Sequence, residues 1–228
     1  MHPPVTVHWD RGTLLLAGPR HVVSELPGAL WDARVRSFRA PAHRYHQVAA
    51  HLPAPSLIAT TKRRRPPPRL RDYQQAALDA WAAAGQRGLV VLPTGAGKTR
   101  TAIAAIARTG LSTLCIAPTR VLLAQWRAAL LAAGLGPVGQ LGDGQRNLQH
   151  VTVATTASAR IHAARIGPRF ALLVVDEAHH HAVSDETLEL YPAPARLGLT
   201  ATPPEDPEPL ARLEQLVGPV VYRIGVDE

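Results

Sequence analysis

The chain has 228 residues and carries 25 Lys+Arg against 17 Asp+Glu, a formal net charge of +8. Its single cysteine, Cys115, excludes an internal disulfide, and neither a signal peptide nor an apolar run of about 18 residues is present. An intracellular, soluble protein, cytoplasmic beside the nucleoid or nuclear and without a membrane partner, is therefore expected. The length suits one small domain and one of ordinary size.

Residues 1–60 contain the alternating stretches Val5-Thr6-Val7-His8-Trp9 and Thr13–Leu16, then a predicted helix from Ala42 to Leu52. That reads as a small α+β domain with little core of its own. Residues 1–71 hold 12 basic and 3 acidic side chains, whereas the remainder holds 13 and 14. A positive first module beside a neutral second one suits a polyanion such as DNA, to which phosphate contacts give sequence-independent affinity. Trp9 and Trp31 in this module are candidates for stacking on a base. The charge is densest at Lys62-Arg63-Arg64-Arg65, and Pro66-Pro67-Pro68 follows at once. Residues 61–68 thus read as a stiff linker, and a purely solvated role for its charges stays open.

From residue 69 to 228 strands alternate with helices. The strand candidates are Leu89 to Leu92, Thr113 to Ala117, Val151 to Thr155, Leu172 to Val175 and Arg196 to Thr200, with Val220–Ile224 as a final strand. Such alternation predicts right-handed crossovers and a parallel sheet covered by helices on both faces. Cys115 falls in a central strand and is expected to be buried. Trp81 and Trp126 lie on apolar helix faces and are expected in the core.

Two motifs carry chemistry. After the first strand comes Pro93-Thr94-Gly95-Ala96-Gly97-Lys98-Thr99, a glycine turn that opens a helix. Small residues let the backbone N–H groups of Thr94, Gly95, Ala96 and Gly97 curl around phosphate oxygens, with the helix N-terminus adding positive potential. Lys98 would neutralise the β- and γ-phosphates and the Thr99 hydroxyl would hold Mg2+. Leu92 stands where the general signature has its first glycine. The second motif, Asp176-Glu177-Ala178-His179-His180, ends the apolar run 170–175. A carboxylate there sits where parallel sheets bind ligands, so Asp176 is assigned to Mg2+ and Glu177 to the attacking water as catalytic base. Three consecutive histidines, His179 to His181, cannot all face one ion, and His179 is expected to touch either the nucleotide edge or the segment Leu199-Thr200-Ala201-Thr202-Pro203.

Together these blocks resemble the first motor domain of a superfamily 2 helicase. Ala117-Pro118-Thr119-Arg120 and Val153-Ala154-Thr155-Thr156 resemble DNA-contacting motifs, and Thr200, Ala201 and Thr202 the motif that couples nucleotide state to DNA grip. Leu70-Arg71-Asp72-Tyr73-Gln74 resembles the adenine-reading motif, which implies Arg71 and Gln74 at the base of ATP. The N-terminal third, with Asp10-Arg11-Gly12-Thr13-Leu14, Trp31-Asp32-Ala33-Arg34, Arg39-Ala40-Pro41-Ala42 and Arg44-Tyr45, is similar to the damage-recognition-like domain of the XPB family of DNA repair helicases. The resemblance implies a RecA-like fold and ATP-driven work on duplex or forked DNA in excision repair, beside a structure-specific nuclease. It also implies a second motor domain that contributes arginines to the ATP site. Glu228 comes before any such domain, and a break at the interdomain linker is the expectation. Where the family has an Arg-Glu-Asp element for strand opening, this chain has Pro204-Glu205-Asp206, without the arginine. A DNA-binding module that does not hydrolyse ATP, the translocating subunit of a restriction system and an RNA helicase remain alternatives at this stage.

Overall fold

Two sheets organise the protein, whose structure, a computed structural model, describes residues 5–52, 57–58 and 61–224. In the smaller sheet, β1 (Thr6–Asp10) and β2 (Thr13–Ala17) form a hairpin around Arg11 and Gly12, both at positive φ, the backbone such two-residue turns demand. After a single helical turn, α1 (Arg20–Val23), β3 (Leu30–Asp32) and β4 (Ser37–Pro41) complete an antiparallel sheet ordered β1-β2-β4-β3. Arg39 pins three of its strands, with Nη1 2.8 Å from Asp10 and Nε 3.1 Å from Asp32. The Arg34 guanidinium, aided by Arg39, holds the Asp32 carboxyl at about 2. The helix expected over 42–52 is shorter, a 3-10 turn at Ala42–Arg44 followed by α2 (Tyr45–Ala49). β3 and β4 escaped sequence reading because each is brief and ends in charge or proline.

The larger sheet contains β5 (Arg87–Val91), β6 (Thr113–Ala117), β7 (Val138–Gly142), β8 (Gln145–Asn147), β9 (Val151–Thr155), β10 (Leu172–Val175), β11 (Ala195–Thr200) and β12 (Val220–Arg223). Their order is β12-β5-β11-β10-β6-β9-β7-β8, and all neighbours are parallel except the edge pair β7–β8. The expected parallel α/β sheet is thus present, with one antiparallel hairpin added. Glycines at 139 and 142 break the apolar alternation of β7, although Asp143-Gly144 is a strong hairpin-turn pair.

Alternate side chains of these strands feed two cores. Val90, Cys115, Val153, Val174 and Leu197 face α3 (Asp72–Ala83), α4 (Lys98–Thr109) and α5 (Arg120–Ala132); Leu89, Leu114, Ala154 and Val175 face α6 (Thr156–Ile166) and α7 (Pro207–Val217). Each fully buried Leu or Val contributes about 1.5–3 kcal/mol. Cys115 lies in the sheet's interior, and burial, then the neighbouring Asp176 charge, pushes its thiol far up.

The small sheet has more core than its length suggested, because Leu14, Leu16, Phe38, Tyr45 and Val48 join one continuous cluster with α3 and α4. Trp9 is an anchor between the modules: its Nε1 donates to Ala164 O at 3.0 Å, and a Cβ on Gly167 would come within 2.6 Å of its ring. That bond and packing hold the half-buried Trp9 ring against the motor. The basic linker is not a free tether either. Arg63 N donates to Gly110 O (2.7 Å), Arg65 N to Ala107 O (3.0 Å) and Arg100 Nε to Arg69 O (2.7 Å), so residues 63–69 run antiparallel along α4.

His43 and His46 face the motor beside Arg87 and Arg196. Burial, followed by those arginine charges, lowers His43 to about 3, and burial then Arg87 lowers His46 to about 4. Because both folded values lie below the unfolded 6.5, stability is complete above pH 6.5 and is lost as pH falls from there toward 4 and 3. We expect the melting temperature to drop between pH 7 and 5, and His43→Gln to flatten that drop; an identical pH profile in the variant would contradict this.

Candidate nucleotide and nucleic-acid site

Sheet order assembles the site. β11 lies between β5 and β10, so the loop after β5, the carboxylates after β10 and Thr200 at the end of β11 meet at the C-terminal edge. The loop turns through Gly95 (φ 83°) and Gly97 (φ 81°), conformations that side chains other than glycine's strain to adopt. A Cβ on Gly97 would also collide with the Gln74 amide. Lys98 opens α4 and folds its Nζ back to 3.4 Å from Leu92 O.

The segment before α3 grips this loop from behind. Gln74, 3% exposed, donates from Nε2 to Ala96 O at 2.8 Å and accepts from Arg71 N at 3.0 Å. Tyr73 donates its hydroxyl to the same Ala96 carbonyl at 2.9 Å. The amide of Gln74 therefore holds the phosphate loop and keeps one N–H and one lone pair for another partner.

Asp176 is 7% exposed, and each of its oxygens has a donor: Glu177 N at 3.1 Å from Oδ1 and Trp126 Nε1 at 2.8 Å from Oδ2. Trp126 is in the core as expected, but its bond to this carboxylate was missed. A buried indole N–H needs an acceptor, yet the sequence does not say which strand end α5 crosses. Glu177 adopts φ 46°, ψ 51°, a left-handed backbone that carries roughly 1–3 kcal/mol of strain at functional positions. His179 does reach the third segment: its Nδ1 is 2.9 Å from Thr200 Oγ1 and 3.5 Å from Glu177 Oε2. Burial, then the adjacent His180, holds His179 below its ordinary value. Thr202 N donates to the same Thr200 hydroxyl at 3.1 Å, and Ala201 lies between them.

Further along the edge, β6 and β9 each deliver a helix. Thr119 Oγ1 accepts from Leu122 N and Thr155 Oγ1 from Ser158 N, both at 3.2 Å, so these threonines cap α5 and α6. The capping alone accounts for their residue type. Arg120 is exposed, with Asp143 of the β7–β8 turn 3.6 Å away, and Thr156 is half-buried. Two neighbouring helix N-termini on one edge make a surface that favours phosphate.

The residues fit a magnesium nucleotide. The outer side of Gly95 is open, with no atom within 4 Å of where a side chain would begin. A threonine hydroxyl and a carboxylate with lone pairs to spare form the all-oxygen donor set that Mg2+ selects.

Known proteins match both parts of this arrangement. Residues 68–205 match the family model of the type III restriction enzyme res subunit, and residues 7–56 that of the xeroderma pigmentosum group B helicase damage recognition domain. The second match, to the small sheet, is to a domain of the XPB helicase and not of the restriction subunit. The chain belongs to the XPB family of superfamily 2 helicases. The XPB relative "DNA 3'-5' translocase XPB2" of Sulfurisphaera tokodaii is 34% identical over 219 residues, covering 89% of this chain and 48% of that protein. The "DNA 3'-5' helicase XPB" of Mycobacterium tuberculosis is 32% identical over 67% of this chain and 30% of its own length. The chain thus spans half or less of these XPB proteins. Among solved structures, the UvsW helicase of bacteriophage T4 shares the fold over 96% of this chain and all of its own (TM-score 0.59, 14% identity). The Hef helicase domain of Pyrococcus furiosus matches over 67% of this chain and 37% of its own (TM-score 0.55, 27% identity). Among the described residues, no helix of this XPB chain is long and apolar enough to cross a membrane.

Proposed function

We propose that this chain is the ATP-binding half of an XPB-type DNA helicase or translocase of DNA repair, with residues 1–60 as its damage-recognition-like domain, 61–68 as linker and 69–228 as first motor domain. One observation carries the reading: the 94–99 loop, Asp176–Glu177 and Thr200 meet on three adjacent strand ends, with the capped N-termini of α5 and α6 in line beyond them.

The chemistry follows from those positions. Backbone N–H groups of Thr94 to Gly97 and the Lys98 ammonium hold the ATP phosphates. Gln74, already on the loop, offers its remaining N–H and lone pair to adenine, and exposed Arg71 lies beside it. Thr99 and Asp176 would hold Mg2+, which neutralises charge on the β- and γ-phosphates when bound. Glu177 draws the proton from a water as its oxygen bonds to the γ-phosphorus; the bond to the bridging oxygen breaks, and ADP and inorganic phosphate leave. His179 hydrogen-bonds Thr200 and lies beside Glu177, which brings the catalytic carboxylate and the coupling segment together. Thr119, Arg120, Thr155 and Thr156 face the phosphate backbone of duplex or forked DNA.

In this family a facing domain completes the ATP site with arginine, worth roughly 10³–10⁵ in rate. We therefore expect the 228 residues alone to hydrolyse ATP poorly, and the same residues joined to a second motor domain to show DNA-stimulated turnover. Glu177→Gln in the joined protein should lower turnover by about 10²–10⁴ while ATP binding persists. Robust DNA-stimulated hydrolysis by the 228 residues alone, or full turnover by the glutamine variant, would overturn this assignment.

A further inference from the structure

Trp9 and Trp81 give their indole N–H groups to backbone carbonyls, of Ala164 and Arg196, the ordinary way for a packed indole to be satisfied. Trp126 instead donates to a carboxylate, Asp176 Oδ2, at 2.8 Å, with both residues buried. The opposite oxygen of that carboxylate takes the N–H of Glu177 at 3.1 Å. Donors on both oxygens fix the carboxylate plane, and they come from different elements: one from the backbone after β10, the other from the middle of α5.

We propose that Trp126 is a positioning residue for the Mg2+ carboxylate, holding Asp176 in the orientation from which its free lone pairs meet the metal. The inference rests on the nucleotide-site reading above. Volume alone does not account for the residue, because phenylalanine would fill most of the same core space without a donor. Nor does the N–H merely need an acceptor, since the acceptor it has is the side chain assigned to the metal. Partners of this kind, one bond removed from a metal, change metal affinity by about 10–100-fold when lost.

The test is nucleotide binding by the 228-residue chain with Mg2+ and with EDTA, in wild type, Trp126→Phe, Asp176→Asn and the double variant. We expect Trp126→Phe to weaken Mg2+-ATP binding by roughly tenfold and metal-free ATP binding by less than about twofold. In the Asp176→Asn background the Trp126→Phe change should have no further Mg2+-dependent effect. Equal losses with and without Mg2+, or no loss, would overturn the proposal, because a residue that only fills the core acts on both forms alike. A measurement on wild type needs no variant to fold: one of the four indole N–H resonances should move on adding Mg2+-ATP and stay in place with metal-free ATP. Four unmoved indoles would also overturn it. Wild-type protein whose ATP binding ignores Mg2+ would overturn the nucleotide-site reading itself, and the role of Trp126 with it.

Discussion

Lys98→Ala weakens ATP binding by the 228-residue chain by roughly thirtyfold or more and leaves its melting temperature nearly unchanged. Its Nζ lies 3.4 Å from Leu92 O, a marginal contact, so the fold loses little when the ammonium is removed. Against a bound triphosphate the same ammonium has nothing comparable to replace it at the turn, which is otherwise built from Thr94, Gly95, Ala96 and Gly97. Truncating one partner of a hydrogen-bonded charge pair costs about 2–5 kcal/mol, and the lower figure alone is a factor of about 30. Equilibrium titration with a fluorescent ATP analogue checks this, and equal affinity in the variant would remove the phosphate loop from the nucleotide site.

Arg196→Met lowers stability by about 3–5 kcal/mol. Arg196 has no exposed surface, and among the described residues no carboxylate pairs with it. Its guanidinium instead donates to the backbone carbonyls of Ala193 (3.2 Å), Leu188 (3.0 Å), Leu216 (2.8 Å) and Tyr191. Leu216 O also accepts from Arg87 Nη2 at 3.3 Å. Burial, then the Arg87 charge, pushes the Arg196 group well below its ordinary value, so the carbonyl dipoles are what make the buried cation tolerable. Through them one side chain ties the end of α7 and the 187–194 segment to β11. Methionine keeps the stem's packing and removes the charge, but it strands carbonyls inside the core at about 1–3 kcal/mol for each one left unmet. For a chain of this size the corresponding fall in melting temperature is about 10 °C. An unchanged or raised midpoint would show that the desolvation of the cation outweighs its hydrogen bonds.

Much of this protein could be read from its sequence, and the legible parts share a physical cause. Strands β6, β9 and β10 coincide with the expected ranges because each is a short apolar run closed by threonine, alanine or aspartate at a ligand-facing end. The phosphate loop is equally legible, since glycine placement and Lys98-Thr99 leave little else for that stretch to be. Parts set by long-range placement could not be read. Thr119 and Thr155 read as DNA contacts, and their helix-capping role requires knowing where α5 and α6 start. Arg196 read as one residue of a strand, with no sign of the carbonyl cage around it. Trp126 meets Asp176 across 50 positions of sequence, a contact created only when β10 pairs with β6. The strap of residues 63–69 was written in its prolines as stiffness, but not as contact with α4.

The most direct measurement is a crystal structure of the 228-residue chain soaked with Mg2+-ADP. The phosphates should lie within the turn of Thr94 to Gly97 beside Lys98, the metal between Thr99 and Asp176, and adenine against Gln74. Nucleotide density anywhere else on the chain, or a metal that leaves Asp176 untouched, would contradict it.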